Sequence, residues 1–322
     1  RGSNLYRVPN LYMNTLPPKC ITLDDSPPPV LYKYVAPERL DILETRLIRF
    51  TQPTALNDPF ELKPIFDSML PDNNFESTFR PTDSMLEGAL REQFLRLPLE
   101  MQARLSFEQV LEKLRHNPQM MEAALAEVMP KMKSAIQTLA PQTKVMLNEA
   151  IEQHVGVLSL AESPTNQAMW AHYGNQHHGF LIGFRTSDDF FDRRRTKGDD
   201  FFHLRRVRYL DRAFDNVSFI NLTGNDIFFT KGTDWSYERE WRMLALLTKS
   251  SKLVALPDDN IHLFSFPSSA LCEIVVGARA SNELNEAIGR LIRSDPALAH
   301  VVIRRTVLTQ DKSAIQIETP TS

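Results

Sequence analysis

The chain has 322 residues, enough for one large domain or two small ones and for a substantial core. Hydrophobic residues make up 42% and charged residues 24%, an ordinary soluble composition, and a formal net charge of −3 gives no global positive field for a polyanion. Two cysteines, Cys20 and Cys272, make no disulfide framework, and no stretch approaches the roughly 18 apolar residues of a membrane span. The expectation is a cytoplasmic protein that does not engage a membrane.

Residues 1–29 are proline-rich, end in Pro27-Pro28-Pro29 and read as an extended arm, because proline supplies no ladder donor. Val30 to Val35 is a short β-favouring run. Pro37 suits a first helical turn, Leu40, Ile42, Leu43 and Leu47 give that helix an apolar side, and Leu47 to Phe50 reads as a second strand. Asn57-Asp58-Pro59 then marks a turn, through side-chain to backbone hydrogen bonds. From about 82 to 153 the composition shifts to helix formers and holds almost no glycine. Ser106 with Gln109 is a capping box, and Asn117-Pro118 is an N-cap with proline at the first helical position. Three or four helices are expected there. Their Met and Leu stripes read as packing surface, with a protein partner at this block as the alternative.

β character returns after His154. Val155 to Leu160, Gly179 to Phe184, Arg206 to Leu210, Trp241 to Leu247, Leu253 to Leu256, Leu271 to Val276 and Val301 to Val307 are strand candidates. Asn166 to Tyr173 and Ser281 to Arg293 are helical. The plan is one α+β domain over 30–322, with a mixed or antiparallel sheet and an inserted helical block.

Three strings carry chemistry. The first is Trp235 to Arg242, W-S-Y-E-R-E-W-R. If Tyr237 to Arg242 is extended, Glu238, Glu240 and Arg242 share one face, with the two carboxylates roughly 7 Å apart. One carboxylate could stabilise a positive centre while the other takes a proton; the bland reading is a salt-bridged element pairing Glu238 with Arg242. The second string, Met169 to Phe180, sets three histidines beside Trp170 and Tyr173. Its spacing fits no zinc site, and His172 or His178 is expected to hydrogen-bond within a pocket. The third is Asn57 to Lys63, where Glu61-Leu62-Lys63 has the form of a nuclease E-x-K, against a turn-and-cap reading. The arginines at 193–195, 205, 206 and 208 are the one obvious basic patch, read as a solvated loop and strand edge. Walker, G-x-G-x-x-G, G-x-S-x-G and H-E-x-x-H motifs do not occur.

Together these strings resemble a bacterial family catalogued as domain of unknown function 2971. The resemblance lies in L-Y-K-Y at 31–34, N-D-P-F-E at 57–61, V-L-S-L-A-E at 157–162, M-W-A-H-Y at 169–173, H-H-G-F at 177–180 and K-x-x-x-W-x-Y-E-x-E-W-R from Lys231. More distantly the layout is similar to the ADP-ribosyltransferase superfamily, which implies a split sheet with NAD, as substrate, in the cleft between its halves. Carried across, Tyr32 and Lys33 fall in the first NAD-contacting motif, Ser159 in the second, and Glu238 and Glu240 in the third. The implied catalytic residues are Glu240, Glu238 and Ser159. Tyr32, Lys33, Asn57, Trp170, His172, Tyr173 and Arg242 would bind NAD, with Tyr32 or Trp170 stacked on nicotinamide and Arg242 contacting phosphate or holding Glu238. The chain departs at Lys33, where such enzymes carry His or Arg, because an ammonium lacks their planar donors. The resemblance implies transfer of ADP-ribose to a protein or nucleic-acid acceptor, or NAD hydrolysis, in a toxin or phage-defence effector. The alternatives are a metal-dependent nuclease using Asp58, Glu61, Glu238 and Glu240, and a non-enzymatic module with no pocket near Glu240.

Overall fold

The computed structural model describes residues 26–58, 83–196, 198–210, 228–257, 260–309 and 314–318. Of the N-terminal arm, residues 1–25 lie outside the described residues. Pro28 and Pro29 run along the sheet, their carbonyls accepting hydrogen bonds from Thr186 Oγ1 and N–H at 2.6 and 3.1 Å. The expected opening follows as strand β1 (Val30–Val35), a 3-10 turn (Pro37–Leu40), helix α1 (Asp41–Thr45) and strand β2 (Leu47–Phe50). Arg46 closes α1 in the left-handed region at φ 54°, which reverses the chain into β2.

The helical block holds α2 (Asp83–Leu95), α3 (Leu99–Gln102), α4 (Phe107–His116) and α5 (Pro118–His154). The Ser106–Gln109 capping box forms in both directions, and the Asn117 side chain caps α5. Helix α5 continues through Pro130 and Pro141, although each proline removes one backbone hydrogen bond. Tertiary packing holds it at both ends. Val128 packs with Leu90, Phe107 and Leu114 in a core of the block's own, and Ile151 packs against Val155, Val157 and Leu244 of the sheet.

Strands β3 (Val155–Ala161), β4 (Phe180–Arg185), β8 (Glu240–Leu246), β9 (Lys252–Ala255), β11 (Leu271–Val276) and β12 (Val302–Thr309) fall where expected, as do helices α6 (Gln167–His172) and α7 (Asn282–Ser294). The expected strand from Arg206 to Leu210 divides at Val207, whose N–H turns to the Glu240 carbonyl at 2.9 Å. This yields β5 (Leu204–Arg206) and β6 (Arg208–Leu210). Three unanticipated strands complete the set: β7 (Thr230–Gly232), β10 (Asn260–Ser265) and β13 (Ala314–Glu318).

The result is α+β with a mixed, split sheet. Eight strands run in the order β13-β12-β11-β4-β1-β3-β8-β5, antiparallel except for the parallel pair β11 and β12. Three more, β2-β10-β9, form a second sheet. The two sheets meet on one edge of β3. Near its C-terminal end β3 pairs with β1 at Tyr32 and Ala161; near its start Val157 exchanges two backbone hydrogen bonds with Thr51, just past β2. Between these points β1 and β2 diverge, and a cleft opens over Ser159. Among the described residues no helix is long and apolar enough to cross a membrane.

Candidate active-site cleft

The cleft encloses about 200 Å³ and is walled by β1, the Thr51–Asn57 segment, β3, α6, β7 and the start of β8. Tyr32, Lys33, Asn57, Ser159, Tyr173, Glu238 and Glu240 line it, so residues from all the separated sequence motifs except H-H-G-F at 177–180 converge there.

Glu238 and Glu240 reach the cleft by a different route from simple strand alternation. Thr233 to Glu238 is a 3-10 helix, and Arg239 adopts φ 44°, ψ 55° before β8 begins at Glu240. The expectation that Tyr237 to Arg242 is wholly extended is therefore corrected. The reversal at Arg239 sets Glu238 opposite Glu240, while Glu240 and Arg242 do share a strand face. The turn is fixed from outside. Asn166 caps α6 with its Oδ1 and donates its Nδ2 to the Tyr237 carbonyl at 2.7 Å, and Tyr209 OH accepts the Glu240 N–H at 2.8 Å.

Four charged side chains are buried together: Lys231, Glu238, Glu240 and Arg242 are each 5% exposed or less. Lys231 Nζ lies 2.7 Å from Glu238 Oε2 and 3.5 Å from Glu240 Oε2. Arg242 forks onto Glu240, Nε to Oε1 at 2.7 Å and Nη2 to Oε2 at 2.9 Å, and gives Nη1 to the Phe228 carbonyl. Two cations against two anions leave the quartet neutral, which is the condition for holding charge in a low-dielectric interior. Burial alone would raise the Glu240 carboxyl, but the charges of Arg242 and Lys231, with the Ser159 hydroxyl, outweigh it and hold the group well below the ordinary carboxylate range. Glu240 is thus kept as an anion on the cleft wall.

A second chain of contacts reaches the same carboxylates. Asn57 donates to Tyr173 OH, which donates to Glu238 Oε1 at 2.7 Å. Burial, then the bond to Glu238, pushes the Tyr173 phenol far above its usual value. Across the cleft, Lys33 Nζ donates to the Ser159 carbonyl at 3.0 Å, in the gap that β1 leaves as it parts from β3. Burial lowers this amine to about 8.

Three expected site residues lie elsewhere. Trp170 is fully buried beneath the cleft, its indole N–H on the Pro164 carbonyl at 2.9 Å, its ring edge-on to Tyr34 and stacked on His177. It is core and offers no face to a nicotinamide. The turn that carries His177 takes three successive left-handed residues, Asn175, Gln176 and His177. His172 is exposed and packs against Tyr173 and Tyr237 outside the cleft lining. Arg242 is 1% exposed and holds Glu240, not Glu238 or a phosphate. Sequence reasoning passed over Lys231, although it opens the K-x-x-x-W motif, and over Tyr209 and Glu273. Glu273 accepts from Tyr32 OH at 2.6 Å.

Four of the six arginines of the basic patch are paired locally. Arg194 pairs with Asp192, Arg195 with Asp199, Arg205 with Asp200 and Arg206 with Glu162. Among the described residues no group of three or more His, Cys, Asp or Glu side chains could hold a metal ion. Glu61 and the rest of Pro59 to Lys63 lie outside the described residues.

Residues 169–243 match the family model described as "Protein of unknown function (DUF2971)". That stretch carries Tyr173, Lys231, Glu238, Glu240 and Arg242, while β1, Asn57 and Ser159 precede it. Neither the curated proteins nor the solved structures returned a match.

Proposed function

We propose that the cleft binds NAD and breaks its nicotinamide–ribose bond, passing ADP-ribose to a macromolecular acceptor or to water. One observation carries this reading: Tyr32, Ser159 and Glu240, from motifs more than a hundred and from about eighty residues apart, line a single cleft where the sheet splits. As nicotinamide leaves, C1′ of the ribose becomes oxocarbenium-like, and a preorganised anion opposite it lowers the barrier. Glu240 meets that demand because its charge is fixed before substrate arrives. Arg242, Lys231 and the Ser159 hydroxyl already engage Glu240, so a ribose hydroxyl would take the place that the Ser159 hydroxyl now holds. The Tyr32 ring, flanked by the small side chain of Ala161, supplies the aromatic wall for nicotinamide, the role Trp170 does not fill. The enclosed volume suits the nicotinamide riboside half, with the remainder of NAD lying along the open mouth.

The resemblance to the ADP-ribosyltransferase superfamily supports the same reading, and with it the proposal extends to a toxin or phage-defence effector acting in the cytoplasm. The nuclease alternative gains nothing from carboxylates already occupied by Lys231 and Arg242. The non-enzymatic alternative expects no pocket near Glu240.

The test is release of labelled nicotinamide from NAD, with protein and nucleic-acid acceptors supplied. The expected result is turnover by the wild type and a loss of about 10²- to 10³-fold in Glu240→Gln. A wild-type chain that neither binds nor cleaves NAD under these conditions rejects the proposal.

A further inference from the structure

If NAD is cleaved in this cleft, something must take the proton of the attacking acceptor. Glu238 is poorly suited, because its two oxygens accept from Tyr173 and Lys231, each at 2.7 Å. Both oxygens are thereby already engaged by donors. Glu240 is more tightly held, with Arg242 on both oxygens. Lys231 Nζ is occupied between the two carboxylates and over the Trp235 ring at 4.7 Å.

Lys33 differs from all three. Its Nζ donates to an uncharged group, the Ser159 carbonyl, and no carboxylate among the described residues is ion-paired with it. It lines the cleft together with Glu240 and Ser159. We infer that Lys33, as the neutral amine, is the general base that deprotonates a neutral O–H acceptor, an inference that rests on the reading of the cleft given above. One N–H stays on the Ser159 carbonyl; the lone pair and the second N–H remain for the cleft. The acceptor oxygen forms a bond to C1′, the C1′–N pair departs with nicotinamide, and the acceptor proton passes to Nζ. The resulting ammonium faces Glu240 and returns its proton to water. The charged groups around Lys33 are Glu240 and Glu238 from β8 and the turn before it, Arg39 from the turn after β1 and Arg49 from β2. Burial outweighs the two carboxylates, the arginines add to it, and the amine is set at about 8.

The experiment follows nicotinamide release by the full chain, with NAD as probe and water as acceptor, between about pH 6 and pH 10. The wild type is expected to show a rate limb rising through about 8. Lys33→Arg, which keeps charge but cannot serve as a base, and Lys33→Met are both expected to lose that limb and about 10²-fold in rate. Their NAD affinity, by calorimetry, should stay within a few fold. A limb that persists in either folded variant overturns the inference. Competitive acetylation mapped by peptide mass reads the amine without reference to activity. A Lys33 midpoint near 8 supports the inference, and one at the ordinary lysine value of 10.5 overturns it. If the wild type releases no nicotinamide, the proposed function fails and the base role falls with it, even where acetylation gives the lower midpoint.

Discussion

Tyr32 and Glu273 join hands across an intervening strand: the tyrosine hydroxyl of β1 donates to the carboxylate of β11 at 2.6 Å, over β4. The residue between them in register is Gly183, and a Cβ there would lie 2.6 Å from Glu273 Cγ and 3.4 Å from Tyr32 Cε1. The same transverse row continues to Ala161 and Glu240. Two small residues thus flank the tyrosine, one letting it reach Glu273 and the other leaving the cleft open. Arg304 braces the far side, its Nε 2.8 Å from Glu273 Oε2.

Gly183→Ala is therefore expected to destabilise the chain by about 1–3 kcal/mol, because the bracing of Glu273 leaves little room to yield. Urea unfolding measures it. A variant as stable as wild type would mean that the row relaxes freely.

Arg242→Met strips the bidentate clamp from buried Glu240 and leaves Lys231, at 3.5 Å, as its cation among the described residues, so a loss of about 3–5 kcal/mol is expected. The double variant Glu240→Gln/Arg242→Met removes both charges and should lose less than the two single variants summed, by more than about 1 kcal/mol. Additive losses in that cycle would argue against a coupled pair.

Acid should weaken the fold through Glu240. Its folded value lies below the ordinary 4.5, so the stability it contributes is complete above 4.5 and is lost as the pH falls toward the folded value. Denaturant midpoints followed from pH 5 downward should fall less steeply in Glu240→Gln. Parallel slopes would place the acid-sensitive group elsewhere.

Lys33 acts at the other end of the scale and with the opposite cause. Its folded value of about 8 lies below the unfolded 10.5, so the unfolded chain binds the extra proton between them and stability rises with pH across that window. Lys33→Met should abolish the rise and stabilise the fold at neutral pH by roughly 1 kcal/mol, a figure reduced because the side chain opens partly to the cleft. Thermal melts at two pH values on either side of 8 would check it.

Much of the fold was legible because it is local. The run Val30 to Val35, Pro37 at a helix start and Leu47 to Phe50 each state their own conformation, and the capping residues Ser106, Asn117 and Asn166 announce helices through bonds spanning three residues. The missed strands are those whose cause is distant. β7 has three residues and exists because Tyr209 and its neighbours lie beside it. β10 reads as polar and apolar in no clean alternation, yet it is sandwiched between β2 and β9. Pro130 and Pro141 carry a local cost within α5 that packing at both ends of the helix overrides.

The sequence by itself determined which residue types are available to the cleft. Tyr32, Lys33, Asn57, Ser159, Tyr173, Glu238 and Glu240 stand out by chemistry and by motif, and the shared face of Glu240 and Arg242 follows from strand periodicity alone. Only the tertiary structure decided their roles. An aromatic ring can be wall or core, and Trp170 became core because Tyr34 and His177 close over it. A cation can meet a ligand or hold an anion, and Arg242 holds Glu240 because it is buried beside it. The basicity of Lys33 is likewise set by where β1 leaves β3, since desolvation belongs to the surroundings of a group and not to its identity.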